Sequence, residues 1–218
     1  LGAGVVGGTG LVIGIAVRPG NPTETAGHLV TGKGENLLHI YLKIDDQNRA
    51  TAILPHSEMG QGAQTALTQM LAEELDADWD LMRFEEAPAD GAYANMALGR
   101  GYLFAGVNFP DAVVPTVDGL VLKLADALGM QITGGSMSIR STGQYFIRAA
   151  GAAVREMLVN AASKAWGVPQ DEIRTANSRL YHDTSGRSGP YSEFAAAAAR
   201  VTPSLTTKLK KAGQFTVM

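Results

Sequence analysis

Between residues 36 and 87 the chain changes its hydrophobic period twice, and this limits what it can fold into. The run "NLLHIYLKIDDQNRATAILP" holds two strand-like segments around the polar turn Asp45-Asp46-Gln47-Asn48, which predicts a β-hairpin. The period then becomes helical. In residues 63–76, "AQTALTQMLAEELD", Leu67, Met70, Leu71 and Leu75 fall on one face, and Glu73 and Glu74 read as the solvent face. "LMRFEEA" over 81–87 returns to a strand. Hairpin, helix and strand in this order predict an α+β fold, with small mixed sheets covered by helices.

The rest of the chain repeats the theme less regularly. Glycines and prolines punctuate "GRGYLFAGVNFPDAVVPT", after which "VDGLVLKLADALGM" reads as a helix ending at Gly129. The clearest helix runs from Gly143 to Trp166, with a broad apolar face of small residues. Phe146, Ala149, Ala150, Ala153, Met157, Leu158, Ala161 and Ala165 form it, and Gly167 and Pro169 stop it. "SRLYHDTSGRSGPYSEFAAAAARV" predicts a strand, a Gly/Ser turn and an Ala-rich helix. Residues 1–35 form a Gly-rich N-terminal segment, residues 36–202 the domain, and residues 203–218 a linker towards a continuation. "LGAGVVGGTGLVIGIAVRP" is too short and too rich in glycine for a membrane span. It reads either as the remnant of an export signal or as a surface segment packing on a partner.

Two glycine-rich loops each open a helix: "SEMGQG" before residue 63 and "TGGSMS" before residue 143. A helix N-terminus carries unpaired N–H groups and partial positive charge, and glycine lets the backbone approach a ligand closely. Gln61 adds an amide that both donates and accepts, and Thr133, Ser136 and Ser138 add hydroxyls. Two such loops suit a ligand with phosphate and several polar heteroatoms. Singly, each reads better as an ordinary turn and helix cap than as a ligand site. Neither is a dinucleotide-binding G-x-G-x-x-G or a P-loop. Glu58 is a candidate general base, although its position favours capping the helix. His39, His56 and His182 lack metal-ligand spacing, and His56 reads as an exposed turn residue. Arg140 and Arg148 are candidate phosphate partners, Arg148 more naturally a structural arginine on a packed helix. No GxSxG nucleophile elbow is present.

Composition removes several classes. A net charge of −3 argues against a nucleic-acid role. The absence of cysteine excludes disulfides, a thiol nucleophile and an iron–sulfur cluster held by this chain.

The stretches "LPHSEMGQGAQTALTQMLAEELDADW", "YAN", "TGGSMSIRSTGQYFIRAAGAAVREMLVNAASKAWGVP" and "SRLYHDTSGRSGPYSEFAAAAA" together resemble the molybdenum hydroxylases, the xanthine dehydrogenase and aldehyde oxidase family. The similarity covers most of residues 37–200. It points to the large subunit of the isoquinoline 1-oxidoreductase type, which includes membrane-associated bacterial aldehyde dehydrogenases. The resemblance implies that Met59, Gly60, Gln61 and Gly62 line a molybdopterin cofactor, in bacteria often its cytosine dinucleotide form. Thr133, Gly134, Gly135, Ser136 and Ser138 would contact the rest of it.

The resemblance further implies oxidation of an aldehyde or hydroxylation of an N-heterocycle, with water supplying the oxygen. Electrons would pass to a [2Fe–2S] subunit and, by analogy with the membrane-associated members, onward to a cytochrome c subunit, in a periplasmic enzyme on the outer face of the cytoplasmic membrane. The departures are length and the catalytic base. The chain is much shorter than a family large subunit, so the base and the rest of that subunit are expected on another segment. No Arg-Arg export pair is present. The alternative is a non-catalytic module that binds anions or nucleotide phosphates, or that serves assembly.

Overall fold

The computed structural model describes residues 22–94, 107, 108, 110, 112–203 and 207–216. The apolar segment before residue 22, Asn95 of "YAN" and most of residues 95–111 lie outside the described residues.

The first sheet holds four strands in chain order: β1 (Glu35–His39), β2 (Leu42–Asp45), β3 (Ala50–Leu54) and β4 (Met82–Glu86). β1, β2 and β3 are antiparallel, whereas β4 runs parallel to β3, with Ala50 opposite Met82 and Leu54 opposite Glu86. The parallel pair requires a crossover, and helix α2 (Ala63–Leu75) supplies it. The expected hairpin is therefore present as β2–β3, with Asn48 at φ 64 in its turn. The first strand-like run, however, splits into two strands at Ile40-Tyr41. That turn gives no polar signal because it is buried: the Tyr93 hydroxyl donates to the Ile40 carbonyl at 2.9 Å, and Tyr93 packs edge-on against Tyr41.

Helix α1 (Pro22–Val30) occupies part of the segment read as Gly-rich and buries Ala26 and Val30. Its C-terminal Val30 carbonyl accepts from the Lys43 ammonium at 2.7 Å, a favourable place for a cation. Helix α3 (Val114–Ala127) follows, beginning three residues before the expected start with Pro115 in its first turn. Gly129, at φ 57, lies just past its end.

The long helix begins earlier than its periodicity suggests. Ser138–Ile147 forms a wide π-type stretch, and α4 (Arg148–Trp166) continues it to Gly167 at φ 67. The expected small-residue face is real and packs on α2: Ala150, Ala153, Leu158 and Ala161 are buried, while Ala165 at the far end is exposed. Glycine permits the closest approach. A Cβ on Gly151 would stand 2.7 Å from the Leu71 carbonyl oxygen, and one on Gly143 would meet the Met70 sulfur at 2.7 Å.

Beyond α4 lies a second, antiparallel sheet of β5 (Arg174–Ala176), β6 (Arg179–His182) and β7 (Arg187–Pro190), then α5 (Tyr191–Ala198). The Gly/Ser stretch thus contains a strand as well as a turn. Ser178 ties the sheets together: its carbonyl accepts from the Asn48 side chain at 3.1 Å, and its hydroxyl from the Asp78 amide at 2.9 Å. The core is continuous across both sheets, with Leu42, Ile44, Ile53, Leu67, Leu71, Leu75, Leu158, Leu180 and Tyr191 buried.

The glutamates of α2 correct an expectation. Glu73 and Glu74 do not face solvent; they are 1% and 0% exposed. Arg148 binds Glu74 through Nε at 2.8 Å, and Lys210 Nζ binds Glu73 at 2.9 Å. Main-chain amides of Lys210 and Thr216 also donate to these carboxylates at 3.0 Å. Residues 207–216 therefore cross the C-terminal end of α2 as a strap, and buried carboxylates are tolerated because each is paired. Arg148 is structural, as its place on a packed helix implied. Among the described residues no helix is long and apolar enough to cross a membrane.

Candidate functional site

The first glycine-rich loop leaves the end of β3 at Pro55 and enters α2 at Ala63. Its shape comes from its own side chains. Gln61 Oε1 accepts from the Met59 amide at 2.5 Å, and Gln61 Nε2 donates to the Ser57 carbonyl at 3.0 Å. Gly60 and Gly62 adopt φ 86 and 75, which an L side chain resists. A Cβ at either would meet nothing within 4 Å, so the backbone there is open to an incoming molecule. Met59, Gly60, Gln61 and Gly62 are all exposed, Met59 at 69%.

Glu58 caps α2. Its Oε1 accepts from the Gly62 amide at 2.8 Å and its Oε2 from the Gln64 amide at 3.2 Å. The Gly62 amide, helped by those of Gln64, Gly60 and Met59, holds the Glu58 carboxyl below the usual carboxylate range. A carboxylate fixed by the backbone at a helix entrance is a poor general base, and it already satisfies the amides an anion would seek.

The second loop carries Thr133, Gly134, Gly135, Ser136 and Ser138. Gly135 and Ser136 both adopt left-handed backbone, at φ 60 and 59, and turn the chain into the π-type stretch. Gly135 and Ser136 are exposed, Gly134 is half-buried and Ser138 is buried. The structure brings the two loops together. Thr133 Oγ1 accepts from the Ser57 amide at 2.9 Å, across 76 residues of sequence.

His56 completes the junction and corrects a second expectation: it is 3% exposed rather than on the surface. Its Nε2 lies 2.8 Å from Thr142 Oγ1, and its Nδ1 lies 3.4 Å from Thr133 Oγ1. Burial lowers its pKa to about 4, partly opposed by the Ile132 carbonyl, so the ring is neutral at ordinary pH. Gln64, also buried, donates to the His56 carbonyl at 3.0 Å and to Glu86 at 3.1 Å. Thr142 and Gln64 give no local signal in the sequence, since their partners lie on other elements. The position of His56 beside the loop was the available hint.

Among the described residues no group of His, Asp and Glu is arranged to hold a metal ion. Arg140 is exposed. His182 is buried between Ser185 at 2.7 Å and Glu172 at 2.8 Å, on the second sheet. A cavity of about 560 Å³ lies at the other end of α2, lined by Asp76, Asp78, Trp79, Thr175 and Asn177, and includes neither loop. Asp76 there is engaged by Arg155 and Lys210, so its charge serves the strap. The paired loops, with open backbone and uncommitted polar groups, remain the better candidate site.

No family model matches the chain. Over 162 residues it is 33% identical to the isoquinoline 1-oxidoreductase subunit beta of Brevundimonas diminuta, which covers 73% of this chain and 17% of the relative. It is 25% identical over 173 residues to a membrane-bound aldehyde dehydrogenase of Gluconacetobacter polyoxogenes whose name carries pyrroloquinoline quinone, covering 78% of this chain and 18% of the relative. The quinoline 2-oxidoreductase of Pseudomonas putida 86 aligns in space with a TM-score of 0.45 at 14% identity, over 72% of this chain and 15% of that one. The chain thus spans less than a fifth of the length of the curated relatives it matches. Within that span, it is homologous to the isoquinoline 1-oxidoreductase beta subunit, in agreement with the resemblance to the molybdenum hydroxylases.

Proposed function

We propose that this chain forms part of the molybdopterin-binding subunit of an oxidoreductase that converts aldehydes to carboxylic acids or hydroxylates N-heterocycles. The observation that carries this reading is the joining of the two glycine-rich loops into one cradle through Ser57 and Thr133. The residues present fit part of the cofactor. The Gln61 amide has four hydrogen-bonding positions, and the loop uses two of them. The remaining donor and acceptor suit the polar edge of a pterin, while Met59 offers an apolar cover and Gly60 and Gly62 give backbone access. The first amides of α2 suit a phosphate poorly, because the Glu58 carboxylate holds them. A phosphate of the dinucleotide form is therefore better served by Gly134–Ser138.

Bound there, the cofactor supplies two-electron oxidation chemistry in which water provides the oxygen. The residues of this chain bind and orient; the general base is expected from another segment of the subunit. The chain has no cysteine, so electrons would leave through clusters on a [2Fe–2S] subunit, with a cytochrome c subunit as a further acceptor. The name of the Gluconacetobacter relative includes "membrane-bound", which supports a place in the periplasm at the membrane face.

That name also favours a second reading, in which the cradle takes a quinone cofactor. Metal analysis and cofactor extraction from the purified complex separate the two: molybdenum and pterin are expected. Their absence from intact, active material would refute the molybdopterin assignment, and recovery of quinone instead would support the second reading.

A further inference from the structure

We propose that His56 is a positioning residue that fixes the separation of the two glycine-rich loops, so that the cradle is set before any ligand arrives. Its functional consequence rests on the two-loop reading of the site; its geometry does not. His56 stands two residues past the end of β3, and its ring reaches Thr133 in the second loop and Thr142 in the π-type stretch that follows it. The 2.8 Å contact to Thr142 is within ordinary hydrogen-bond distance, and the 3.4 Å approach to Thr133 is a weaker one. Thr142 is itself 2% exposed, so the bond is shielded from water and its loss leaves a buried hydroxyl without a partner.

A neutral imidazole offers one donor and one acceptor. The Ile132 carbonyl accepts from the ring, and Thr133 and Thr142 each carry a hydroxyl able to play either part. The same Thr133 oxygen accepts from the Ser57 amide, one residue beyond His56. Ring, hydroxyl and amide form a closed set of contacts between Ser57 and Thr133. Gln64 holds the His56 carbonyl from the first turn of α2, which fixes the main chain behind the ring. His56 itself need not touch a ligand in this arrangement, so it acts through the loops.

Hydrogen exchange in the full subunit tests the role. The reporter is the Ser57 amide, and the control is the Ile53 amide, which donates to the Tyr41 carbonyl in the sheet. His56→Leu should speed Ser57 exchange at least tenfold and leave Ile53 unchanged. His56→Gln, which keeps a neutral donor and acceptor, should restore most of the protection. If His56→Leu does not fold, Thr142→Val removes only the hydroxyl and should give the same acceleration. Unchanged Ser57 exchange in either folded variant would overturn the proposal, as would a glutamine variant no better protected than leucine. Molybdenum and pterin are measured on the same samples. If Ser57 loosens as expected but the unmutated subunit holds neither, the molybdopterin reading fails and the positioning role stands.

Discussion

At the residue scale, the chemistry of the site is decided by which polar groups are already spent. Glu58 caps α2, as its place in the loop favoured, and the amides of Gly62 and Gln64 hold it. Gln61 is half spent, and the free half faces outward. His56 is committed to two threonines and the Ile132 carbonyl, and its depressed pKa has a consequence for stability. The unfolded histidine titrates near 6.5 and the folded one near 4. Between those values the unfolded chain binds a proton that the folded chain refuses. Stability therefore falls as pH drops from 6.5 to 4 and loses nothing more from this group below that. By pH 4.5 the loss is roughly 2–3 kcal/mol by linkage. Urea melts at pH 7 and pH 4.5 should show this component in the unmodified protein and not in His56→Gln. None of this was readable from residue type: a histidine after a proline in a turn gives no sign that a threonine 86 positions later will cover it.

At the element scale, the packing of α4 on α2 sets where the second loop ends. Periodicity located both helices, because apolar faces at 3.6-residue spacing survive in any context. It missed the π-type entry at Ser138–Ile147, whose wide turns follow from close approach to α2 at Gly143. It also missed the turn at Ile40-Tyr41 and strand β7, whose Arg-Ser-Gly-Pro sequence is held by pairing to β6. Helix contact predicts an order of sensitivity. Ala150→Leu should destabilise by about 1–3 kcal/mol, since its site is fully buried. Gly151→Ala should also destabilise, although alanine favours helix, because its Cβ would press on the Leu71 main-chain oxygen. Gly143→Ala should be milder, because the Met70 side chain it meets can swing away. Thermal unfolding of the three variants checks this ranking, and equal melting temperatures for Gly143→Ala and Gly151→Ala would contradict it.

At the scale of the whole molecule, α2 connects two ends: its N-terminus receives the first glycine-rich loop, and its C-terminus is clamped by the strap. Arg148→Met should strand Glu74 with only the Lys210 amide, and loss of one partner from a buried pair costs about 3–5 kcal/mol. Urea unfolding reads that loss, which an exposed pair would not produce. The α+β architecture and the two loops were legible in the sequence, as was the family resemblance. The ionic clamp was not, because Glu73 and Glu74 look like ordinary solvent-facing helix residues until residues 207–216 fold over them. The central claim is that the paired loops hold a molybdopterin cofactor through Gln61. Its most direct test is the molybdenum and pterin content of the purified subunit beside that of Gln61→Ala. The account predicts near-stoichiometric cofactor in the unmodified protein and a marked loss in a variant whose melting temperature is nearly unchanged. Equal cofactor content and equal activity in the two would contradict it.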